Sequence, residues 1–225
     1  MERPQFLNGY LFLIALLSVF DVAAEKPLNI SAAYYLDQRG FNSITLQFGS
    51  YKLPAGFSLW GFTDLFAEQE DPDSRADIDG SFSEYRISYE KLGLKGLALQ
   101  AEYNYFTPSN NDIGRFGIAY KKVYQLANRF QVFNQLRLFP LQTDGDGGQV
   151  SLIYKIKFSD QLIFSGFADY NIREQASNEW LFEPMLRYYF YNKIALALEY
   201  RFNGFEDANP ALDGSAYALG VWVDL

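Results

Sequence analysis

The chain contains no cysteine, no histidine and only 2 methionines, and past residue 24 no apolar run approaches the roughly twenty residues that a membrane-crossing helix needs. Without cysteine there is no disulfide framework. Without imidazole, neither the Ser–His arrangement of a lipase nor the Asp–His arrangement of a protease can be assembled, and no other base is specified near a nucleophile. The chain therefore does not read as an enzyme, and no cofactor is expected. A carboxylate pair such as Glu84 and Glu102 reads as solvated wall. Positive charge is scarce as well: 19 Lys and Arg stand against 27 Asp and Glu, for a net charge of −8. No basic stripe exists to neutralise phosphates, which excludes nucleic acid as a partner. No Pro-, Ser- or Gly-rich linker interrupts the pattern after the leader, so one continuous domain is the simpler reading.

What is present is a two-residue rhythm and a heavy aromatic load. Leu97, Leu99, Ala101, Tyr103 and Tyr105 fall on one face of a strand, while Ala98, Gln100, Glu102 and Asn104 fall on the other. One face suits lipid and the other water. Such segments recur to the end of the chain, together with 17 Tyr, 21 Phe and 3 Trp, the residue types of interfacial girdles. A strand in lipid can satisfy its backbone only within a closed barrel. The expected fold is therefore all-β, a transmembrane antiparallel up-and-down β-barrel.

The leader is the second feature. Leu11 to Phe20 has the length of a signal-peptide core, and Val22-Ala23-Ala24 offers small residues for cleavage before Glu25. The expected organisation is a signal peptide over 1–24 and a barrel over 25–225, exported to the bacterial outer membrane. An N-terminal anchor is the alternative, for which the run is short.

Strands are predicted near 28–36, 42–51, 57–67, 81–90, 96–106, 113–124, 130–139, 149–158, 161–171, 180–190, 193–203 and 214–225, twelve in all. Short connections at 91–95, 125–129, 159–160 and 191–192 alternate with longer ones at 68–80, 108–112, 140–148, 171–179 and 204–213. That alternation is expected of periplasmic turns and external loops, and the first external connection, 37–40, is short and departs from it. Pro184 falls inside a strand, where its missing N–H predicts a bulge. The acidic 68–80 and 143–148 loops suit contact with lipopolysaccharide through divalent ions, but neither has EF-hand spacing, and no metal site is assigned.

Inward parity places Glu84, Arg86 and Glu90 on the fourth strand, Glu102 on the fifth, Arg115 and Lys121 on the sixth, Arg137 on the seventh, and Lys155 and Lys157 on the eighth. Asp169, Glu183, Arg187, Glu199 and Arg201 follow. Strands six to eight form a basic arc, and its separation from the acidic strands favours a water-filled lumen; charges that pair across neighbouring strands and fill the lumen are the alternative. On the third strand, Trp60, Phe62 and Phe66 share a face with Asp64. Either all face the lumen, or the rings form a girdle with Asp64 near the rim.

Trp60-Gly61-Phe62-Thr63-Asp64, an acidic loop, and Ser83-Glu84-Tyr85-Arg86-Ile87-Ser88 resemble the early strands of the nucleoside-specific channel-forming (Tsx-like) proteins of the Gram-negative outer membrane. The resemblance implies twelve strands and a narrow channel that takes nucleosides through lumen aromatics and polar groups, with Phe62, Asp64, Glu84 and Arg86 as the residues carried over. The final segment, with Tyr217, Leu219, Val221, Val223 and Leu225, resembles the signal read by the barrel-assembly machinery, although it ends in Leu. The function expected is a passive channel, or porin, for small polar solutes; the alternative is a non-conducting structural or surface-interaction barrel.

Overall fold

A computed structural model describes residues 28–51, 53–68, 78–107, 111–174, 176–204 and 214–225. The leader with its expected cleavage site, and most of the acidic 68–80 loop, lie outside these residues. Twelve strands follow in order: β1 (Asn29–Asp37), β2 (Phe41–Ser50), β3 (Phe57–Glu68), β4 (Gly80–Tyr89), β5 (Leu97–Thr107), β6 (Asn111–Gln125), β7 (Gln131–Gln142), β8 (Gly148–Lys157), β9 (Leu162–Ile172), β10 (Glu179–Tyr191), β11 (Ile194–Asn203) and β12 (Gly214–Asp224). Each pairs antiparallel with its chain neighbours, and β1 pairs with β12 from Ser31↔Asp224 to Asp37↔Ala218, closing the sheet. Closure satisfies the backbone groups that an open edge would strand in lipid. The chain is a transmembrane antiparallel up-and-down β-barrel. β1 starts and β12 ends at the same end, called here the near end.

Period-two alternation dictates the two surfaces. Leu46, Ile87, Leu99, Ile118, Leu136, Leu152, Leu196 and Leu219 all point outward and are exposed, although each is fully apolar. That belt is bounded by rings at both ends. Phe57 packs on Tyr89 and Phe130 on Phe158 at the near end; at the far end Tyr170 meets Trp180 at 4.8 Å and Phe182 stacks on Phe202 at 4.7 Å. Aromatic girdles mark the level of the headgroups, so the belt between them marks the hydrocarbon zone.

The barrel departs from the sequence reading at its prolines. β10 holds a continuous register against β9 through Glu183↔Phe167, Pro184↔Gly166 and Met185↔Ser165, so no bulge forms at Pro184. The register shifts lie elsewhere, at the near end of β10 between Tyr189 and Tyr191, and at Pro140 of β7. Between Phe116↔Leu141 and Ile118↔Leu138 the register shifts, and Phe139 and Pro140 together oppose Gly117. The missing N–H of Pro140 thus falls where the ladder is already interrupted. β7 consequently runs to Gln142, not 139, and its loop shortens to 143–147. β6 begins at Asn111, so the connection before it, 108–110, is short, and the alternation of short and long connections is less regular than the sequence suggested.

One apolar cluster is buried inside the wall, formed by Ala33 and Tyr35 of β1, Ala195 and Ala197 of β11, and Ala218 and Trp222 of β12, with Met185 and Tyr189 packed against it. Gly220 makes room for it: a Cβ there would lie 2.5 Å from Tyr34 O and 2.5 Å from the Tyr35 ring.

Candidate functional site

The lumen is the candidate site, and its side chains follow from register. Trp60↔Arg86, Arg86↔Glu102 and Glu102↔Arg115 are successive cross-strand pairs from β3 to β6, all on the inward face. Arg137 of β7 lies opposite Ala119, whose small side chain leaves the guanidinium free to cross toward β5. The Glu102 carboxylate accepts from Arg86 Nε at 2.8 Å, Arg115 Nη1 at 2.8 Å and Arg137 Nη1 at 2.9 Å. Arg86 also pairs with Glu84, and its guanidinium lies 4.1 Å from the centre of the Trp60 ring. Both Glu102 and Arg137 side chains are 1% exposed. Opposite charges are held this far from bulk water only when paired and hydrogen-bonded, and here each is.

A second network faces it from β1, β2, β10 and β11. Arg201 donates from Nε to Glu199 at 2.9 Å and from Nη1 to Asp37 at 3.2 Å and Ser43 at 3.3 Å. Asp37 also takes Arg39 from the β1–β2 turn at 2.8 Å. Thr45 donates to Asp64 at 2.5 Å. Among the described residues Glu183 makes no ion pair, and Asp169 lies opposite Ser151 of β8. The two networks line opposite sides of the lumen with largely paired charge and form its charged waist.

The basic arc expected across β6 to β8 is not a separate wall. Arg115 and Arg137 are both drawn to Glu102, and Lys121 of β6 pairs with Glu90 at 2.5 Å. Long guanidinium side chains span more than one strand, so parity alone did not show where their heads meet. Only Lys155 of this arc stands apart: it is exposed to the lumen near the near end and has no ion pair among the described residues.

The ambiguity on β3 resolves inward. Thr45↔Asp64 and Gln47↔Phe62 put Asp64, Phe62, Trp60 and Phe66 on the lumen face. Trp60 lies 5.4 Å from Phe62, and Phe62 lies 5.6 Å from Phe82 of β4, making an aromatic ladder beside the waist. All fourteen residues proposed from sequence, Trp60, Phe62, Asp64, Glu84, Arg86, Glu102, Arg115, Arg137, Lys155, Asp169, Glu183, Arg187, Glu199 and Arg201, fall on inward-facing positions. Sequence reasoning missed Asp37, Thr45, Phe82 and Trp222. Each continues the inward parity of its strand; the last strand was read for its outward residues alone, and no inward set was assigned on the first two.

Among the described residues, no group of three or more acidic side chains is placed to hold a metal ion. In the 143–147 turn the Asp146 carboxylate is taken up by Arg173 Nε at 3.2 Å and the Glu174 N–H at 2.7 Å.

No protein-family model and no curated protein matches the sequence. Solved structures do match in fold. The KdgM porin in complex with disordered oligogalacturonate superposes with a TM-score of 0.53 at 12% identity, over 88% of this chain and 99% of that one. The NanC porin gives 0.52 at 11% identity, over 88% and 100%. The barrel thus shares the architecture of these porins over nearly their whole length.

Proposed function

We propose that this barrel is a passive, narrow channel of the bacterial outer membrane for small polar solutes, with nucleosides as the preferred class. The observation that carries the reading is the aromatic ladder Trp60–Phe62–Phe82 on the lumen face, bordered by Asp64, Glu84 and Arg86. Ring faces stack a planar base, and carboxylate and guanidinium groups exchange hydrogen bonds with base and ribose. Opposed charge networks at the waist orient a dipolar solute as it passes. The porin fold of the structural neighbours supports the channel, and the resemblance of the β3–β4 segments to nucleoside channels supports the solute. In this reading the chain is exported by its leader, is inserted by the barrel-assembly machinery, and sits among outer-membrane lipid and lipopolysaccharide with its near end in the periplasm.

A second reading, a non-conducting structural barrel, is favoured by the near-complete burial of Glu102 and Arg137. Single-channel conductance of the refolded protein separates the two. Adenosine or thymidine is titrated against a neutral sugar and against oligogalacturonate, the saccharide held by the KdgM porin. Discrete conductance blocked by nucleoside alone supports the proposal, and weaker block in Phe62→Ala assigns it to the ladder. Block by oligogalacturonate alone replaces the solute; no conductance from a folded barrel supports the structural reading.

A further inference from the structure

We propose that Lys155, Arg187 and Ser165 form an oxyanion-binding site at the near end of the lumen, separate from the waist networks. The cross-strand register brings the three together: Lys155 of β8 lies opposite Ser165 of β9, and Arg187 of β10 lies opposite Ile163, one inward position along. Arg187 is only 8% exposed, yet no carboxylate pairs with it among the described residues. Its one hydrogen bond is a long one, from Nη2 to Ser165 Oγ at 3.5 Å, and Nε is buried without any partner. Trp222 holds the guanidinium from one side, with its ring centre 4.4 Å away. Among the described residues, the other buried guanidinium groups of the lumen each have a carboxylate: Arg115 and Arg137 have Glu102, and Arg201 has Glu199 and Asp37.

Asp224 is the acid at the near end of β12, and its oxygens are held by other donors. Its carboxylate accepts from Tyr189 at 2.8 Å and from Trp222 Nε1 at 2.8 Å. Lys157, the other cation of β8, turns to Asp160 in the β8–β9 turn at 2.8 Å. Among the described residues, Arg187 and Lys155 are thereby left without a direct ion pair on neighbouring inward positions beside Ser165, and the guanidinium is held against an indole. A buried guanidinium with spare donors is costly unless an anion supplies the acceptors. Carboxylate and phosphate both match the guanidinium fork, and the ammonium adds a point charge.

The site does not depend on conduction, so its test is a binding measurement. Inorganic phosphate is titrated calorimetrically into the refolded full-length barrel, with galacturonate as a parallel carboxylate probe. One site per barrel is expected, with affinity reduced about tenfold or more in Lys155→Gln, since a lost charge-assisted bond costs at least that much. Lys193→Gln, in an exposed turn at the same end, keeps wild-type affinity. Lys155 is exposed and its replacement leaves the wall intact, so Lys155→Gln remains decisive if Arg187→Gln fails to fold. No binding to the wild type, or equal binding to Lys155→Gln, overturns the proposal.

Discussion

Three guanidinium groups converge on the single carboxylate of Glu102. Removing one partner of a buried ion pair leaves an uncompensated charge, typically at a cost of about 3–5 kcal/mol. Glu102→Gln keeps the shape of the side chain but discharges the centre of the network. Its unfolding midpoint in denaturant should fall substantially, and the cation excess at the waist should shift the reversal potential toward anion preference. An unchanged midpoint would mean that Arg86, Arg115 and Arg137 are neutralised by other groups. Reversing Arg137 would crowd carboxylates in this network and is expected to disrupt folding, so Lys155, exposed and without an ion pair among the described residues, is the better position for a test of selectivity. Lys155→Glu should weaken anion permeation with little change in stability, as measured by reversal potential and thermal unfolding.

At the scale of strands and turns, the bulge opposite Gly117 is the least forgiving point of the wall. A Cβ there would overlap the carbonyl oxygen of Leu138, and Phe139, fully buried, packs over the same glycine. Gly117→Ala should therefore abolish the compact, heat-modifiable barrel on electrophoresis, whereas a normal shift would show that β7 can move away. The β8–β9 turn offers a milder test. Asp160 accepts a hydrogen bond from Lys157, and this bond, then the charges of Lys157 and Arg129, hold its carboxyl below the usual aspartate range. The turn contact is thus complete above the ordinary Asp pKa and is lost as pH falls through the lowered value. An NMR titration in micelles should place the Asp160 midpoint below the ordinary value, and a midpoint at or above it would remove the clasp.

The strands themselves were legible because burial on one face imposes a strict two-residue period, which Leu97–Tyr105 displays without a break. The exceptions were local. Pro184 broke the pattern in sequence but not in register, and Pro140 hid a bulge behind the appearance of a loop, because an extra residue in a strand leaves no compositional mark. For the lumen, parity gave the inward positions of the charges but not their partners: the reach of an arginine carries its head past the neighbouring strand, as Arg137 does to Glu102.

For the molecule as a whole, the absence of cysteine provides a clean test of orientation. Asp144→Cys in the β7–β8 turn should react with a membrane-impermeant maleimide on intact cells. Asp160→Cys, at the opposite end, should react only after the outer membrane is permeabilised. The reverse pattern would invert the barrel. The joint between β1 and β12 bears on the barrel's history as well as its shape. Its middle is lined by Ala33, Tyr35, Ala218 and Trp222, an apolar stretch set between charged groups at its ends, Asp37 and Asp224. Ionic strength screens the exposed charges of the lumen more than it weakens these apolar contacts. Its two strands are also the first and last of the barrel to be synthesised. Their pairing therefore closes the longest loop in the wall, and its loss would lay two sheet edges bare at once.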